Sequence, residues 1–219
     1  MKKRLLVFNS GSGSGFQKLV EYERAGHADY EVVGLIVDRN DRYAIERAKK
    51  LGIRYTIMRP YTKKNPYTAE EYQALVKQYG ADFVSLSGWL KPAVGLDPKT
   101  TFNIHPGPLP EFGGPGMYGH HVHEAMIAAY KRGEVTHSAV CMHFVIEEYD
   151  QGPVFVKFLV EILPTYDADA LGSAVNAVEH CIQAFITNLV VTGKIHWDGK
   201  NPESLVIPDF IKAINALAA

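Results

Sequence analysis

The sequence contains few cysteines: Cys141 and Cys181 are the only two among 219 residues. Two cysteines cannot form the several crosslinks of a disulfide framework, so we interpret both as free thiols. Free thiols are typical of a reducing compartment, and we therefore expect a cytoplasmic protein. No apolar run reaches the roughly 18 residues of a membrane span, so we expect no membrane association.

Net charge is also nearly absent, because 23 lysines and arginines are balanced by 24 aspartates and glutamates, which leaves a formal charge of −1. A protein that binds nucleic acid through its phosphates normally shows a basic excess or stripe, so we expect no nucleic-acid partner. Hydrophobic residues make up 47% of the chain, which is ordinary for a globular protein. At this length, a single α/β domain that binds small molecules is the simplest prediction.

Short apolar segments alternate with helical patterns through the first half of the chain. The predicted strands are residues 5–8, 32–37, 53–58, 82–87 and 101–105, and the helical patterns begin near residues 16, 43 and 68. This alternation predicts βαβ units and hence an α/β fold with a Rossmann-like, mostly parallel sheet flanked by helices. Ligands of such sheets bind beyond the carboxyl ends of the strands, so the segments at those ends are the first candidates for a site.

The second half of the chain is less regular. The predicted elements are a helix at 117–131, paired strands at 138–145 and 154–162, a long helix at 169–191, a short strand at 195–197 and a terminal helix at 207–217. Residues 106–119 contain too much glycine and proline for regular structure. A loop of this length inside a compact domain is usually functional.

Three glycines, Gly11, Gly13 and Gly15, follow the first strand and precede the first helix. Backbone N–H groups at a helix N-terminus, with no side chains in front of them, form an anion site. The spacing Gly-x-Gly-x-Gly matches neither the dinucleotide-binding fingerprint nor the P-loop. The pattern therefore leaves two interpretations open, a site for phosphate or carboxylate and a plain tight turn.

Asn103 and His105 end the fifth predicted strand. Residues i and i+2 of a strand project from the same face, so both side chains point the same way. An asparagine N–H can stabilise a developing oxyanion, and a histidine can move protons near neutral pH. Such a pair is often structural, but the rigid loop that follows favours a site, because loops at strand ends carry function.

Asp150 lies in a turn between two predicted strands, where aspartate is commonly a turn former. If the fold brings its carboxylate near His105, the contact would favour the charged imidazolium. His120, His121 and His123 raise the alternative of a metal site, but they spread around one helix and neither cysteine is near them in sequence. We therefore expect helix-surface or core positions for these three histidines, and no metal.

Seven segments of the sequence together resemble the folate-dependent formyltransferases. They are residues 10–17, 87–91, 103–106, 117–125, 143–145, 150–154 and 179–180, so the resemblance covers most of residues 4 to 196. It implies the formyltransferase fold and the transfer of a formyl group from 10-formyltetrahydrofolate, a co-substrate, to the amine of phosphoribosylglycinamide in purine biosynthesis. The alternatives are another amine such as an amino-sugar nucleotide, water as in a deformylase, or a non-catalytic module that binds folate or a nucleotide.

The resemblance assigns the chemistry to Asn103, His105 and Asp150. Asn103 would donate a hydrogen bond to the developing oxyanion. His105 would act as a charged acid or proton shuttle. Asp150 would support that charge and help to remove the proton of the attacking amine.

The same resemblance implies two binding regions. The substrate phosphate would lie on Gly13, Ser14 and Gly15, with Glu179 at the ribose. The folate would lie in a slot bordered by Trp89, Leu90, Lys91, Ala93, Ile146, Glu147, Glu148 and Tyr149. The whole chain, 1–219, would be one domain with a phosphate-binding half (1–100), a catalytic and folate-binding half (101–200) and a tail (201–219), as a monomer or homodimer.

The sequence departs from the family pattern at three positions near these regions. The family usually has asparagine at the position of Gly15, and often arginine at the positions of Ala69 and Lys91. The three catalytic candidates are unaffected. The departures concern the acceptor and the folate ends of the site.

Overall fold

The computed structural model describes residues 1–40 and 42–218. Its centre is a seven-stranded sheet with the order β3-β2-β1-β4-β5-β6-β7. The strands are β1 (Lys3–Asn9), β2 (Tyr30–Val37), β3 (Tyr55–Ile57), β4 (Phe83–Ser87), β5 (Thr101–His105), β6 (His137–Phe144) and β7 (Val154–Glu161). Strands β1 to β5 pair in parallel, whereas β6 pairs antiparallel with both β5 and β7. The predicted α/β fold with a mostly parallel sheet is therefore confirmed.

Helices cover both faces of this sheet. They are α1 (Ser14–Arg24), α2 (Arg42–Lys50), α3 (Ala69–Tyr79), α4 (His120–Lys131), α5 (Ala168–Val191) and α6 (Asp209–Leu217), with a 3-10 turn at Pro202–Ser204. Side chains of β1 alternate between the two faces, as the period of a strand requires. Leu5 and Val7 pack into the core that α1, α4 and α5 cover, and Leu6 and Phe8 pack into a second core beneath α3. A strand buried on both faces reads as the continuous apolar run seen in the sequence.

Helix α3 begins near residue 68, as the sequence predicts. The Thr68 hydroxyl accepts a hydrogen bond from the Glu71 N–H (3.3 Å), and the Glu71 carboxylate accepts one from the Thr68 N–H (2.8 Å). This capping box satisfies two backbone donors at the helix start. Gly80 ends the helix with a φ of 56°, a left-handed conformation that glycine adopts without steric cost.

Helix α5 is the longest helix, and by length and composition alone it could cross a membrane. The buried core helix of a globular protein passes the same test, so the observation is weak. Leu171, Val175 and Ile186 are buried, and the helix packs against α1, α4 and the sheet. We therefore interpret α5 as a core helix, which Asp167 caps by accepting from the Ala170 N–H at 2.8 Å.

Several element boundaries differ from the prediction, and three of the differences have a clear reason in the fold. Strand β3 is limited to Tyr55–Ile57, because it lies at the sheet edge and pairs only along three residues of β2. Helix α4 begins at His120 rather than at Met117, since Gly119, with a φ of 53°, holds a non-helical turn just before it. The predicted strand at 195–197 is an isolated bridge between His196 and Val206.

The sheet order places the carboxyl ends of β1, β4 and β5 side by side. These ends carry Asn9, Ser87 and His105. The antiparallel strands β6 and β7 then bring the turn at 145–153 next to the end of β5, because Asn103 pairs with His143 in the sheet register. The fold therefore assembles four distant segments of the chain at one edge.

Candidate active site

Two volumes open at this edge of the sheet. The larger is a cleft of about 540 Å³, which runs from the glycine turn past the ends of β4 and β5 to α4 and α5. The smaller is a slot of about 30 Å³ between the segment after β4 and the turn 145–150. Among the described residues, the two volumes share Trp89, Asn103, Tyr149 and Asp150 as lining residues. Two of the three predicted catalytic residues thus lie at the junction of the two volumes.

The glycine turn forms one end of the cleft and starts α1. Gly13 precedes the helix with a φ of 77°, and no side chain caps the helix start. Asn9 fixes the turn, because its Oδ1 accepts from the Gly11 N–H at 2.9 Å and its Nδ2 donates to the Ser87 carbonyl. The uncapped N–H groups of the first turn of α1 are therefore available to an anion.

Cationic side chains surround this turn. Arg47 donates to the Ser12 carbonyl at 3.1 Å and to the Gln17 side chain. The pKa of His180, on the facing helix α5, is lowered first by burial and then by the charges of Lys18 and Arg47. Arg47 and the N-terminus of α1 give the turn a positive potential, which suits a phosphate, whereas the charge of Lys18 is paired with Glu21 at 2.7 Å.

Glu179 lines the same end of the cleft from α5. Burial raises the pKa of its carboxyl group to about 7, although an N–H of Asn176 donates to it at 3.3 Å. Near neutral pH this group can therefore both donate and accept hydrogen bonds. That property suits a polyhydroxylated ligand such as a ribose.

Asn103 is oriented by a histidine that the sequence analysis did not select. Its Nδ2 donates to Nε2 of His143 at 3.0 Å, and Nδ1 of His143 donates to the Phe144 carbonyl at 2.8 Å. Since Nδ1 donates to that carbonyl, Nε2 is the acceptor for the Asn103 amide. The Asn103 amide keeps its second N–H for a ligand at the junction.

His105 is buried at the end of β5. Its Nε2 donates to the Phe112 carbonyl at 2.8 Å, and its Nδ1 lies 3.7 Å from Oδ2 of Asp150. Burial lowers the pKa of the imidazole, and the Asp150 carboxylate only partly opposes this effect. The predicted contact with Asp150 is present, but without ligands His105 is neutral near pH 7 rather than charged, because burial outweighs the ion pair.

Asp150 is held in place by its own backbone and by three partners. Its φ of 57° is a left-handed conformation, which aspartate tolerates better than most residues. Its carboxylate accepts from the Gly114 N–H at 3.0 Å and lies 3.5 Å from Nε2 of His143. Burial alone would raise the pKa of this carboxyl group, but His143, His105 and the Gly114 N–H together hold it below its usual value. Asp150 is therefore an anion that can accept or stabilise a proton at Nδ1 of His105.

Most residues predicted to bind folate lie around the small slot. The exception is Leu90, which lines the large cleft and whose N–H donates to Ser10 Oγ at 3.1 Å. The ammonium group of Lys91 contacts Asp38 at 3.2 Å, so its charge is already paired. Trp89 is mostly a core residue, because it packs edge-on against Phe8 and its indole N–H donates to the Tyr72 hydroxyl.

The described residues contain no group of three or more histidine, cysteine, aspartate or glutamate side chains arranged to hold a metal ion. His120 and His121 are exposed near the start of α4, where each lies beside Glu124. His123 is buried in the cleft wall, and burial lowers its pKa to about 4. The three histidines therefore occupy the surface and core positions that the sequence predicts.

His143 and Gln183 line the two volumes, although the sequence did not indicate them as site residues. His143 carries no local signal, because only its register opposite Asn103 on β6 brings it to the junction. Gln183 follows Glu179 by four residues on α5, and residues i and i+4 of a helix share a face. That spacing was a usable signal for a second polar residue in the cleft wall.

A protein-family model described as formyl transferase matches residues 3–189 of the chain. The chain is 34% identical over 203 residues to a chloroplastic phosphoribosylglycinamide formyltransferase of Arabidopsis thaliana, a match that covers 90% of this chain and 68% of the relative. It is 31% identical to the chloroplastic enzyme of Vigna unguiculata, of which it spans 63% while 90% of this chain is covered. The fold is similar to the crystal structure of glycinamide ribonucleotide transformylase 1 from Symbiobacterium toebii, with a TM-score of 0.78, 29% identity and 94% coverage of both chains.

Proposed function

The chain belongs to the formyl transferase family, and we propose that it transfers a formyl group from 10-formyltetrahydrofolate to the amine of phosphoribosylglycinamide in purine biosynthesis. One observation carries the proposal: a cleft that begins at a positive glycine turn ends at the junction formed by Asn103 and Asp150, with His105 in contact with Asp150. An acceptor with a phosphate at one end and an amine at the other matches this polarity.

The acceptor binds in the large cleft. Its phosphate lies on the backbone N–H groups of Gly13, Ser14 and Gly15, within the field of Arg47 and the α1 N-terminus. Glu179 binds the ribose hydroxyls. The amine then reaches the junction, where the formyl carbon of the co-substrate enters from the small slot.

Formyl transfer forms one C–N bond and breaks another. The amine nitrogen attacks the formyl carbon, and the formyl oxygen becomes an oxyanion that the free N–H of Asn103 stabilises. When the intermediate collapses, the bond from carbon to N10 of the folate breaks, N10 gains a proton, and the acceptor nitrogen loses one.

His105 and Asp150 supply the path for that proton. Nδ1 of His105 accepts the proton from the amine and becomes an imidazolium, which the Asp150 carboxylate stabilises. The same proton can then pass to N10. Because burial lowers the pKa of His105, its imidazole is neutral in the free enzyme and can accept a proton. The charged acid that the family resemblance implies then forms during the reaction.

The folate slot would admit a pteridine ring by joining the cavity beside it, because Ala93 and residues 145–148 line both the slot and a further volume of about 520 Å³. The slot's own volume of about 30 Å³ is far below the roughly 300–1,000 Å³ of typical small-molecule sites. Glu147 and Glu148, in the turn that bounds the slot, are exposed. Displacement of this turn is the simplest way to join the two volumes, and the co-substrate needs no metal for the chemistry described here.

A direct test measures the release of tetrahydrofolate with a panel of acceptors and one donor. We expect phosphoribosylglycinamide to be the preferred acceptor by kcat/KM. Preference for another amine would replace the acceptor in the proposal, and release of formate with water alone would indicate a deformylase. Tight binding of both ligands without turnover would indicate a non-catalytic module.

The remaining partner predictions belong to the same proposal. The partners are the two small-molecule substrates, and the chain acts as a monomer or homodimer in the cytoplasm. Light scattering of the purified protein tests the assembly state. Fractionation of cells tests the compartment, for which the two plant relatives are described as chloroplastic.

A further inference from the structure

Gln183 is a buried polar side chain in the wall of the large cleft. Only 1% of the residue is exposed, and among the described residues its Nε2 has no hydrogen-bond partner. Buried side-chain amides are nearly always paired, and a missing partner carries a desolvation cost. The unpaired amide therefore indicates a partner that binds from outside the chain.

The carboxamide of Gln183 occupies the space in front of Gly15. A Cβ atom at residue 15 would lie 2.7 Å from Oε1 of Gln183 and 2.5 Å from Oγ of Ser87. The Ser87 hydroxyl itself donates to Oε1 of Gln183 at 3.4 Å, a long contact that constrains the amide weakly. A side chain at position 15 and this carboxamide thus exclude each other.

The position of Ser87 shows which part of a ligand would meet this carboxamide. Ser87 ends β4, which lies between β1 and β5 in the sheet, and β1 leads to the glycine turn while β5 leads to Asn103 and His105. A ligand that extends from the turn to the junction therefore passes over the end of β4. The Gln183 carboxamide lies between Gly15 and the end of β4, so it would meet the part of the ligand that adjoins the phosphate on the way to the junction.

We propose that Gln183 is a specificity-determining residue that donates a hydrogen bond from Nε2 to an oxygen in the middle segment of the acceptor, between its phosphate and its amine. This inference rests on the proposed function, which supplies an acceptor of that length. Rotation of the carboxamide about its last side-chain bond exchanges Oε1 and Nε2, so that one N–H faces the Ser87 hydroxyl and the other is left for a ligand. Gln183 on α5 thus provides a side-chain donor at a place where Gly15 has no side chain to offer one.

The test is a kinetic comparison of the wild type with Gln183→Met and Gln183→Glu. Methionine keeps the length of the side chain and removes both polar atoms, whereas glutamate keeps the oxygen and loses the donor at neutral pH. We expect both variants to raise KM for phosphoribosylglycinamide about 3- to 10-fold, the effect of one neutral hydrogen bond, with KM for the folate unchanged. Gln78→Met, on the exposed face of α3, is the matched control and should change neither constant.

Thermal denaturation distinguishes this role from a structural one. Gln183→Met removes an unpaired buried amide, so the Tm should stay the same or rise while KM for the acceptor increases. A lower Tm with an unchanged acceptor KM would identify Gln183 as a packing residue and overturn the inference alone. If the wild type neither formylates nor binds phosphoribosylglycinamide in a calorimeter, the proposed function fails and the inference fails with it.

Discussion

The two volumes of the active site are built in different ways. The large cleft is bounded mainly by the ends of regular elements, β1, β4, β5, α1 and α5, and it is already open. The small slot depends on the turn 145–150 and is nearly closed. If the volumes hold the acceptor and the folate as proposed, the acceptor side is preorganised by the sheet, whereas the folate side depends on the position of the turn 145–150.

This contrast has an energetic meaning. A preformed site spends little free energy on reorganisation, so its affinity reflects its contacts. A site that must open loses part of its binding free energy to that step. Substitutions in the glycine turn and on α5 should therefore act on the acceptor, and substitutions in the turn 145–153 should act on the folate.

The largest effect on activity is expected at the junction, because its residues line both volumes. Asp150→Asn preserves the left-handed backbone and an acceptor for the Gly114 N–H, but it removes the charge that stabilises protonated His105. We expect kcat to fall by about 10²- to 10⁴-fold, with both KM values within a few-fold of the wild type. Steady-state kinetics measures this, and Asp209→Asn on exposed α6 is the control. Full activity in the variant would refute the assigned proton path.

A smaller effect, confined to the folate side, is expected for Gly152→Ala. A Cβ atom at this position would overlap the carbonyl oxygen of Phe144, so the turn must shift. The unfolding free energy should fall by about 1–3 kcal/mol, and KM for the folate should rise more than KM for the acceptor.

The matched control for Gly152→Ala lies on the acceptor side. A Cβ atom on Gly11 would meet no atom within 4 Å, so Gly11→Ala should leave the stability and KM for the folate close to those of the wild type. Chemical denaturation and initial rates measure both variants. An equal rise of both KM values in Gly152→Ala would mean that the turn supports the whole site rather than the folate slot.

A pH-dependent effect is expected at Glu179. Burial raises the pKa of its carboxyl group from 4.5 to about 7 in the folded protein, so between these values the folded state holds a proton that the unfolded state has lost. As pH rises through that window, ionisation of this carboxyl group increasingly destabilises the folded state. Below about pH 4.5 the group is protonated in both states and this destabilisation is absent. Glu179→Gln should raise the Tm at pH 8 relative to the wild type and leave it unchanged at pH 4. A constant difference at both pH values would contradict the shifted pKa.

The smallest effect on catalysis is expected far from both volumes. Thr68→Ala removes the capping box of α3, and the unfolding free energy should fall by about 1 kcal/mol. Neither KM nor kcat should change at a temperature where the protein is folded. A selective change in the folate KM would show that the second core beneath α3 controls the slot.

The sequence predicted those features that depend on neighbouring residues. Hydrophobic runs and helix signals located most elements, and the strand period placed Asn103 and His105 on one face. The start of α3 near residue 68 is equally local. Boundaries were wrong where a sheet edge or a positive-φ glycine decided them, as for β3 and Gly119.

Features that depend on the register of distant strands could not be predicted in this way. Asp150 entered only through the resemblance to a family, and its contact with His105 requires the β6–β7 pair to fold beside β5. His143 reaches Asn103 through the same register. The neutral state of His105 depends on how deeply several segments bury it, which no single segment encodes.

The shared wall at Asn103 has a kinetic consequence. If the acceptor occupies the large cleft and the folate the small slot, as proposed, the two ligands meet at the four residues common to both volumes, and neither has to bind before the other. Addition should therefore follow no compulsory sequence, and initial-velocity patterns should intersect rather than run parallel. Either product can also be released first. When the chemical step is fast, the slower of the two product-release steps therefore limits kcat.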